Sequence, residues 1–235
     1  MLNSVNFVRR CIGALALAVA LPASSSVITF VTPTGATTGG GPVSASATLT
    51  TGAGTVAISL TNLLANPKDV AQLLSDFFFT LSGGQTSGSL TSSSGQEITV
   101  AGDGSFTLGP TVSSGWALTG GSGGLLLDVL GTPIGPAHLI IGPPGAGGTY
   151  SNANGSIAGN KPHNPFLNQT VTFMLSVAGV TADTTVTSAI FSFGTTEGAA
   201  LVPGVPRGLV AEPETLGLIG IGLIALAFTR RRKNA

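Results

Sequence analysis

The chain has 235 residues, of which 43% are hydrophobic and only 8% charged, with 35 glycines, 14 prolines and a formal net charge of zero. That balance hides an asymmetry: six of the nine cations lie at the two ends, and between Ser24 and Leu209 three cations face seven carboxylates, leaving a net charge of −4. With no basic patch, nucleic-acid binding has no electrostatic basis, and a single cysteine, Cys11, rules out an intrachain disulfide framework.

The N-terminus is the first element. Met1 to Arg10 carries Arg9 and Arg10, Cys11 to Leu21 is apolar, and Pro22-Ala23-Ser24-Ser25-Ser26 follows. A short cationic region, an apolar core and a run of small residues predict a cleaved secretory signal peptide over residues 1–25. Cys11 would leave with it.

Short β-type runs separated by turn residues then recur along residues 26–198, the pattern of an all-β domain. Val27 to Val31 is the first run. Val43 to Leu49 and Thr55 to Leu60 alternate apolar with polar residues, the period of a half-buried strand, and Gly52 and Gly54 predict a hairpin turn between them. One helix is expected next. Asn66 is a good cap, Pro67 suits the first helical position and Asp69 lies three residues after the cap. Val70, Leu73, Leu74 and Phe77 follow at helical spacing. Phe77 to Leu81 reads as a strand, and so do Gln96 to Val100 and Ser105 to Leu108, joined by Ala101-Gly102-Asp103-Gly104. Further strands are expected at Trp116 to Leu118, Leu125 to Leu130 and His138 to Ile141. Residues 142–165 are loop-like, dense in Gly, Pro and Asn. Thr170 to Val177 is the clearest long strand, with Thr185 to Phe193 as its expected antiparallel partner. After Gly194 the chain loosens through Pro203, Gly204 and Pro206, and residues 199–211 are expected to be a linker. The fold class expected is an all-β, antiparallel sandwich of jelly-roll or Ig-like two-sheet type with one short helix.

Chemistry-bearing residues are sparse. His163 lies in Asn160-Lys161-Pro162-His163-Asn164-Pro165, where two prolines stiffen the backbone and display His163 and Asn164. It is a candidate general base or metal ligand. Without a His, Asp or Glu partner at ligand spacing, it reads better as a side chain that bonds its own loop. His138, in an apolar run, reads as structural. Asp103 between two glycines resembles a fragment of a calcium loop but lacks the further oxygen ligands, so a turn is the simpler reading. No G-x-S-x-G elbow with a histidine partner appears. The scattered carboxylates show no glycosidase spacing. Tyr150 and Trp116 are the two rings that could stack on sugars, with packing as their more ordinary use. Asn154-Gly155-Ser156 and Asn168-Gln169-Thr170 match the N-glycosylation pattern. No catalytic residue, metal site or cofactor is expected.

The C-terminus is the most specific part. Val210 to Thr215 reads V-A-E-P-E-T, and Leu216 to Phe228 has no polar side chain. Arg230, Arg231, Arg232 and Lys233 then close the chain. The apolar run would make about 20 Å of helix, short against a bilayer core of about 30 Å. The basic cluster should stay cytoplasmic by the positive-inside rule. These residues resemble the C-terminal signal of PEP-CTERM proteins of Gram-negative, exopolysaccharide-producing bacteria. Glu212 and Pro213 match the last two positions of the Pro-Glu-Pro motif, and Thr215-Leu216 match its usual continuation; Ala211 replaces the first proline. The resemblance implies a sorting signal over residues 212–235. Its parts are a processing motif at Glu212, Pro213, Glu214 and Thr215, a transmembrane helix at 216–229, and a basic stop at 230–233. It implies an exosortase, a membrane transpeptidase, as processing partner, with an inner-membrane intermediate on the way to the cell surface or matrix. It also implies exopolysaccharide as the surrounding material. The expected function is a secreted structural or adhesive component of exopolysaccharide, biofilm or floc, without enzymatic activity. A glycan-binding module or a carbohydrate-active enzyme carried by the same tail is the alternative.

Overall fold

The structure, a computed structural model, describes residues 25–121 and 123–207. The signal-peptide segment and the sorting tail therefore lie outside the described residues. The chain forms β1 (Ser26–Val31), β2 (Thr37–Thr38), β3 (Gly41–Pro42), β4 (Ala45–Gly52) and β5 (Thr55–Asn62). A single 3₁₀ turn (Val70–Gln72) leads into β6 (Leu74–Leu81), followed by β7 (Ser89–Val100), β8 (Phe106–Val112), β9 (Ala117–Gly121), β10 (Gly124–Asp128) and β11 (Ile140–Ile141). The last strands are β12 (Phe166–Ser176), β13 (Val186–Phe193), β14 (Leu201–Pro203) and β15 (Val205–Arg207).

Thirteen strands join one continuous mixed sheet; β2 and β3 form a separate ribbon. The sheet has two arms. One runs β8-β7-β12-β5-β4-β1-β15, the other β9-β10-β6-β13-β14. Two-residue β11 links them, pairing antiparallel to β6 at Leu74 and parallel to β12 at Leu167 and Asn168. That parallel ladder makes the sheet mixed; the other ladders are antiparallel. The all-β expectation therefore holds at the level of class.

Alternation explains which faces are buried. In β4 and β5 every second residue is buried, placing Ala45, Ala47, Leu49, Val56, Ile58 and Leu60 inward and the Ser and Thr between them outward. Both arms feed one hydrophobic cluster: Leu49, Ile58, Val171 and Phe173 from the first, Phe77, Phe79, Leu125, Leu127 and Phe191 from the second. The hairpin turn is where Gly52 and Gly54 predict it. Gly54 takes φ +70°, and β4 and β5 pair from Gly52↔Thr55 outward.

Three sequence expectations change. The helix over 66–77 does not form. Asp69, not Asn66, caps the turn: its Oδ1 accepts from Ala71 N at 2.9 Å, while Gln72 Oε1 accepts from Asp69 N at 3.1 Å. Leu73 is already extended, and Leu74 onward is strand. The misleading stripe arises because β6 is central in its arm and covered on both faces. Leu74, Ser75, Asp76 and Phe77 are all buried, so no alternation is visible. Second, β12 and β13 do not pair. β12 lies between β5 and β7, and β13 between β6 and β14. The intervening connection carries the chain from one arm to the other. Third, residues 201–207, expected as linker, pair into the sheet as β14 and β15. Both are edge strands, where proline costs no ladder bond.

Candidate functional site

The sequence-predicted display loop is built from amide side chains. Asn164 Oδ1 accepts from Val100 N at 2.9 Å, and its Nδ2 donates to Asn160 O at 2.9 Å and Ile157 O at 3.3 Å. The half-buried His163 places Nδ1 2.6 Å from Ser156 O. A carbonyl can only accept, so Nδ1 carries the proton. His163 thus ties its own loop together. Among the described residues, no three His, Cys, Asp or Glu side chains gather around a common point. Asp103 closes a turn, its Oδ1 accepting from Ser105 N at 3.0 Å and Ser105 Oγ at 2.6 Å. Those two bonds, the hydroxyl foremost, hold its carboxyl below the usual aspartate range.

His138 is a buried clamp. Its Nδ1 lies 2.8 Å from Ser114 O and its Nε2 3.1 Å from Glu97 Oε1. Its own carbonyl accepts from Trp116 Nε1 at 3.0 Å. One side chain therefore joins β7 to the segment entering β9. Neither candidate stacking ring is free for a sugar. Trp116 packs 5.4 Å from Phe173, and Tyr150 packs edge-on 5.6 Å from Phe106 with its hydroxyl on Gly142 O at 2.9 Å. Both rings are buried, and burial raises the Tyr150 phenol well above its ordinary range. The two N-glycosylation matches are engaged as well: Asn154 Nδ2 donates to Asp69 Oδ2 at 2.6 Å and Asn168 Nδ2 to Gln96 Oε1 at 3.1 Å.

A surface groove lies elsewhere, on the outer face of the first arm. Cross-strand register places Thr29, Thr48, Ser59, Thr172 and Ser94 side by side across β1, β4, β5, β12 and β7. A parallel row runs Thr50, Ala57, Met174, Ser92, and a third Ser46, Thr61, Thr170. Neighbouring strands lie about 4.8 Å apart, and successive rows about 7 Å apart along a strand. Apart from Thr29, the first two rows line an open groove of about 330 Å³, and none of its lining residues is charged. Some hydroxyls bond one another, as Thr29 to Thr48 and Thr61 to Thr170, each at 2.9 Å. A hydroxyl both donates and accepts, so this groove can bond a neutral polyhydroxylated surface without desolvating a charge. Sequence reasoning noted the alternation in β4 and β5 but not the rows, because register across strands is not written locally.

The described residues thus form a β-domain with an uncharged groove on one face, ending in β15 paired with β1, and the C-terminal segment follows Arg207 in sequence. Such a chain is a folded cargo domain followed by a C-terminal address. Residues 210–233 match the model of the PEP-CTERM protein-sorting motif. The chain is therefore a PEP-CTERM sorting domain-containing protein, processed by an exosortase and directed through the membrane to the cell surface or beyond. No curated protein and no solved structure matches the chain.

Proposed function

We propose that this protein is a non-enzymatic structural or adhesive component of an extracellular polysaccharide matrix. A signal peptide at residues 1–25 exports it. The exosortase acts near Glu212-Pro213-Glu214-Thr215 while the apolar segment 216–229 and the Arg230 to Lys233 stop hold the motif at the inner membrane. The observation that carries the matrix role is the uncharged groove lined by Thr48, Ser59, Thr172 and Ser94 on a domain destined for the cell surface. A neutral glycan chain crossing the strands would meet one hydroxyl per strand, and Met174 offers a small apolar contact. The same groove supports binding rather than hydrolysis, since it holds no carboxylate or imidazole. We also read the two arms as the two layers of a sandwich bridged by β11. Gly204 in the β14–β15 turn supports this, because a Cβ there would touch the Phe191 ring of one arm and the Phe30 side chain of the other.

The test is affinity electrophoresis of the processed protein through gels containing exopolysaccharide from its own host. Retardation is expected to survive about 0.5 M salt, because neutral hydrogen bonds are poorly screened. The combined variant Thr48→Val, Ser59→Ala, Thr172→Val should weaken binding about tenfold, each lost hydrogen bond being worth about 0.5–1.5 kcal/mol. Thr107→Val, on β8 outside the groove, should bind as the wild type does. Equal retardation of all three proteins would remove the groove from the account. Absence of retardation in the wild type would remove glycan binding itself.

A further inference from the structure

On the outer face of the second arm, register sets Asp128 of β10 opposite Asp76 of β6, and Asp76 opposite Ser192 of β13. Asp76 and Asp128 are 2% and 4% exposed. Both oxygens of Asp128 are occupied, Oδ1 by Leu130 N at 2.6 Å and Oδ2 by Gly131 N at 2.7 Å. Asp76 Oδ2 accepts a longer bond, from Gly198 N at 3.3 Å, with the Ser192 hydroxyl beside the carboxyl, and its Oδ1 is buried with no donor to satisfy it. Two adjacent buried carboxyls cannot both be charged, so one proton belongs to the pair. The donor pattern puts it on Asp76, whose O–H then donates to Asp128. Burial, reinforced by the bond to and repulsion from Asp128, pushes the Asp76 carboxyl up to about 8.

The same row fastens the segment above it. Gly198 N bonds Asp76, and Ser192 Oγ donates to Ala199 O at 2.6 Å. Beyond this fastening lie β14, then Gly204 with its N–H on Ala189 O, then β15 and the sorting signal. A cavity of about 70 Å³ lies between segment and strands, lined by Asp76, Ser192, Glu197 and Gly198 among apolar neighbours that include Phe78 and Leu201. No cation lines it. Loss of the Asp76 proton to solvent would bring its new charge against Asp128 from β10 and Glu197 from the covering segment, with Ser192 the polar group facing it from β13.

We propose that the Asp76–Asp128 pair is a proton-operated clasp that holds residues 197–207, the root of the sorting tail, against the sheet when one proton is shared and loosens them when both carboxyls ionise. The clasp stands independently of the matrix role. Hydrogen exchange on the full-length chain in detergent micelles tests it. Between about pH 6 and pH 9, after correction for intrinsic exchange, protection of the Gly198 and Gly204 amides should fall by about tenfold while the β4–β5 hairpin keeps its protection. Asp76→Asn keeps a donor toward Asp128 but cannot ionise, and should abolish the change. Glu197→Gln, at an exposed position, removes a negative charge that opposes ionised Asp76 and should move the transition to lower pH. A wild-type chain with no selective loss at residues 197–207, or a transition that neither variant alters, would overturn the clasp.

Discussion

Replacing Phe77 by alanine is expected to lower the unfolding free energy by about 3–5 kcal/mol, the range for deleting a fully buried ring. Phe77 is 0% exposed. It stacks on Phe79 with centroids 5.8 Å apart and leans on Phe191 at 5.3 Å, its register partner on β13. The cavity would open where three strands meet, because β6 bonds β13 along one side and β10 along the other. Backbone ladders on both sides limit collapse into the gap, so the cost should fall in the upper part of that range. Phe78→Ala is the control. Phe78 points to the opposite face and is half-buried, and its loss should be appreciably cheaper. Urea denaturation of both variants, at unchanged slope, checks the difference.

Stability is also expected to fall as pH rises from about 4 to about 8. In the unfolded chain Asp76 ionises near 3.8, whereas in the folded protein it keeps its proton up to about 8. Across that window the native state binds a proton that the unfolded state has lost, so raising the pH favours unfolding, by on the order of 1.4 kcal/mol per unit from this group. The contribution is fully present below the unfolded value and is gone once pH passes the folded one. Asp69 acts in the opposite sense. The backbone N–H of Ala71 holds its carboxyl below the ordinary range, so its contribution is lost in acid, but it lies near the surface and the effect is small. Thermal melts from pH 4 to 9 should therefore decline for the wild type and flatten for Asp76→Asn. A wild-type melting temperature rising through this range would show that Asp76 does not carry the proton assigned to it.

Much of the strand pattern was legible because half-buried strands alternate. Val27 to Val31, Thr55 to Leu60 and Thr170 to Val177 fall within or almost wholly within β1, β5 and β12. Legibility failed where burial is two-sided or partner choice is global. β6 is covered on both faces, so Val70, Leu73, Leu74 and Phe77 imitate a helical stripe, although their burial comes from one 3₁₀ turn and one strand. β12 and β13 are neighbours in sequence, yet each finds other partners, because the two arms must both supply the core. Pro203, Gly204 and Pro206 look like linker because edge strands tolerate what central strands exclude.

The candidate sites divide the same way. The tail was legible because its signal is linear, a motif followed by an apolar run and a basic stop. The hydroxyl rows and the Asp76–Asp128 pair were not, because each exists only once distant strands are set in register. His163 and Asn164 drew attention in the sequence because two prolines flank them. In the structure their side chains bond Ser156, Val100 and Asn160, within the loop and to the adjoining end of β7.

The central claim is that the chain is sorted through its C-terminal signal, and C-terminal peptide mass spectrometry on protein from the medium and envelope of its own host tests it most directly. The account predicts a new terminus between Ala211 and Thr215, with the Arg230 to Lys233 tail missing. Protein that retains the intact Ala235 terminus in the membrane would contradict it and leave residues 216–229 as a plain anchor.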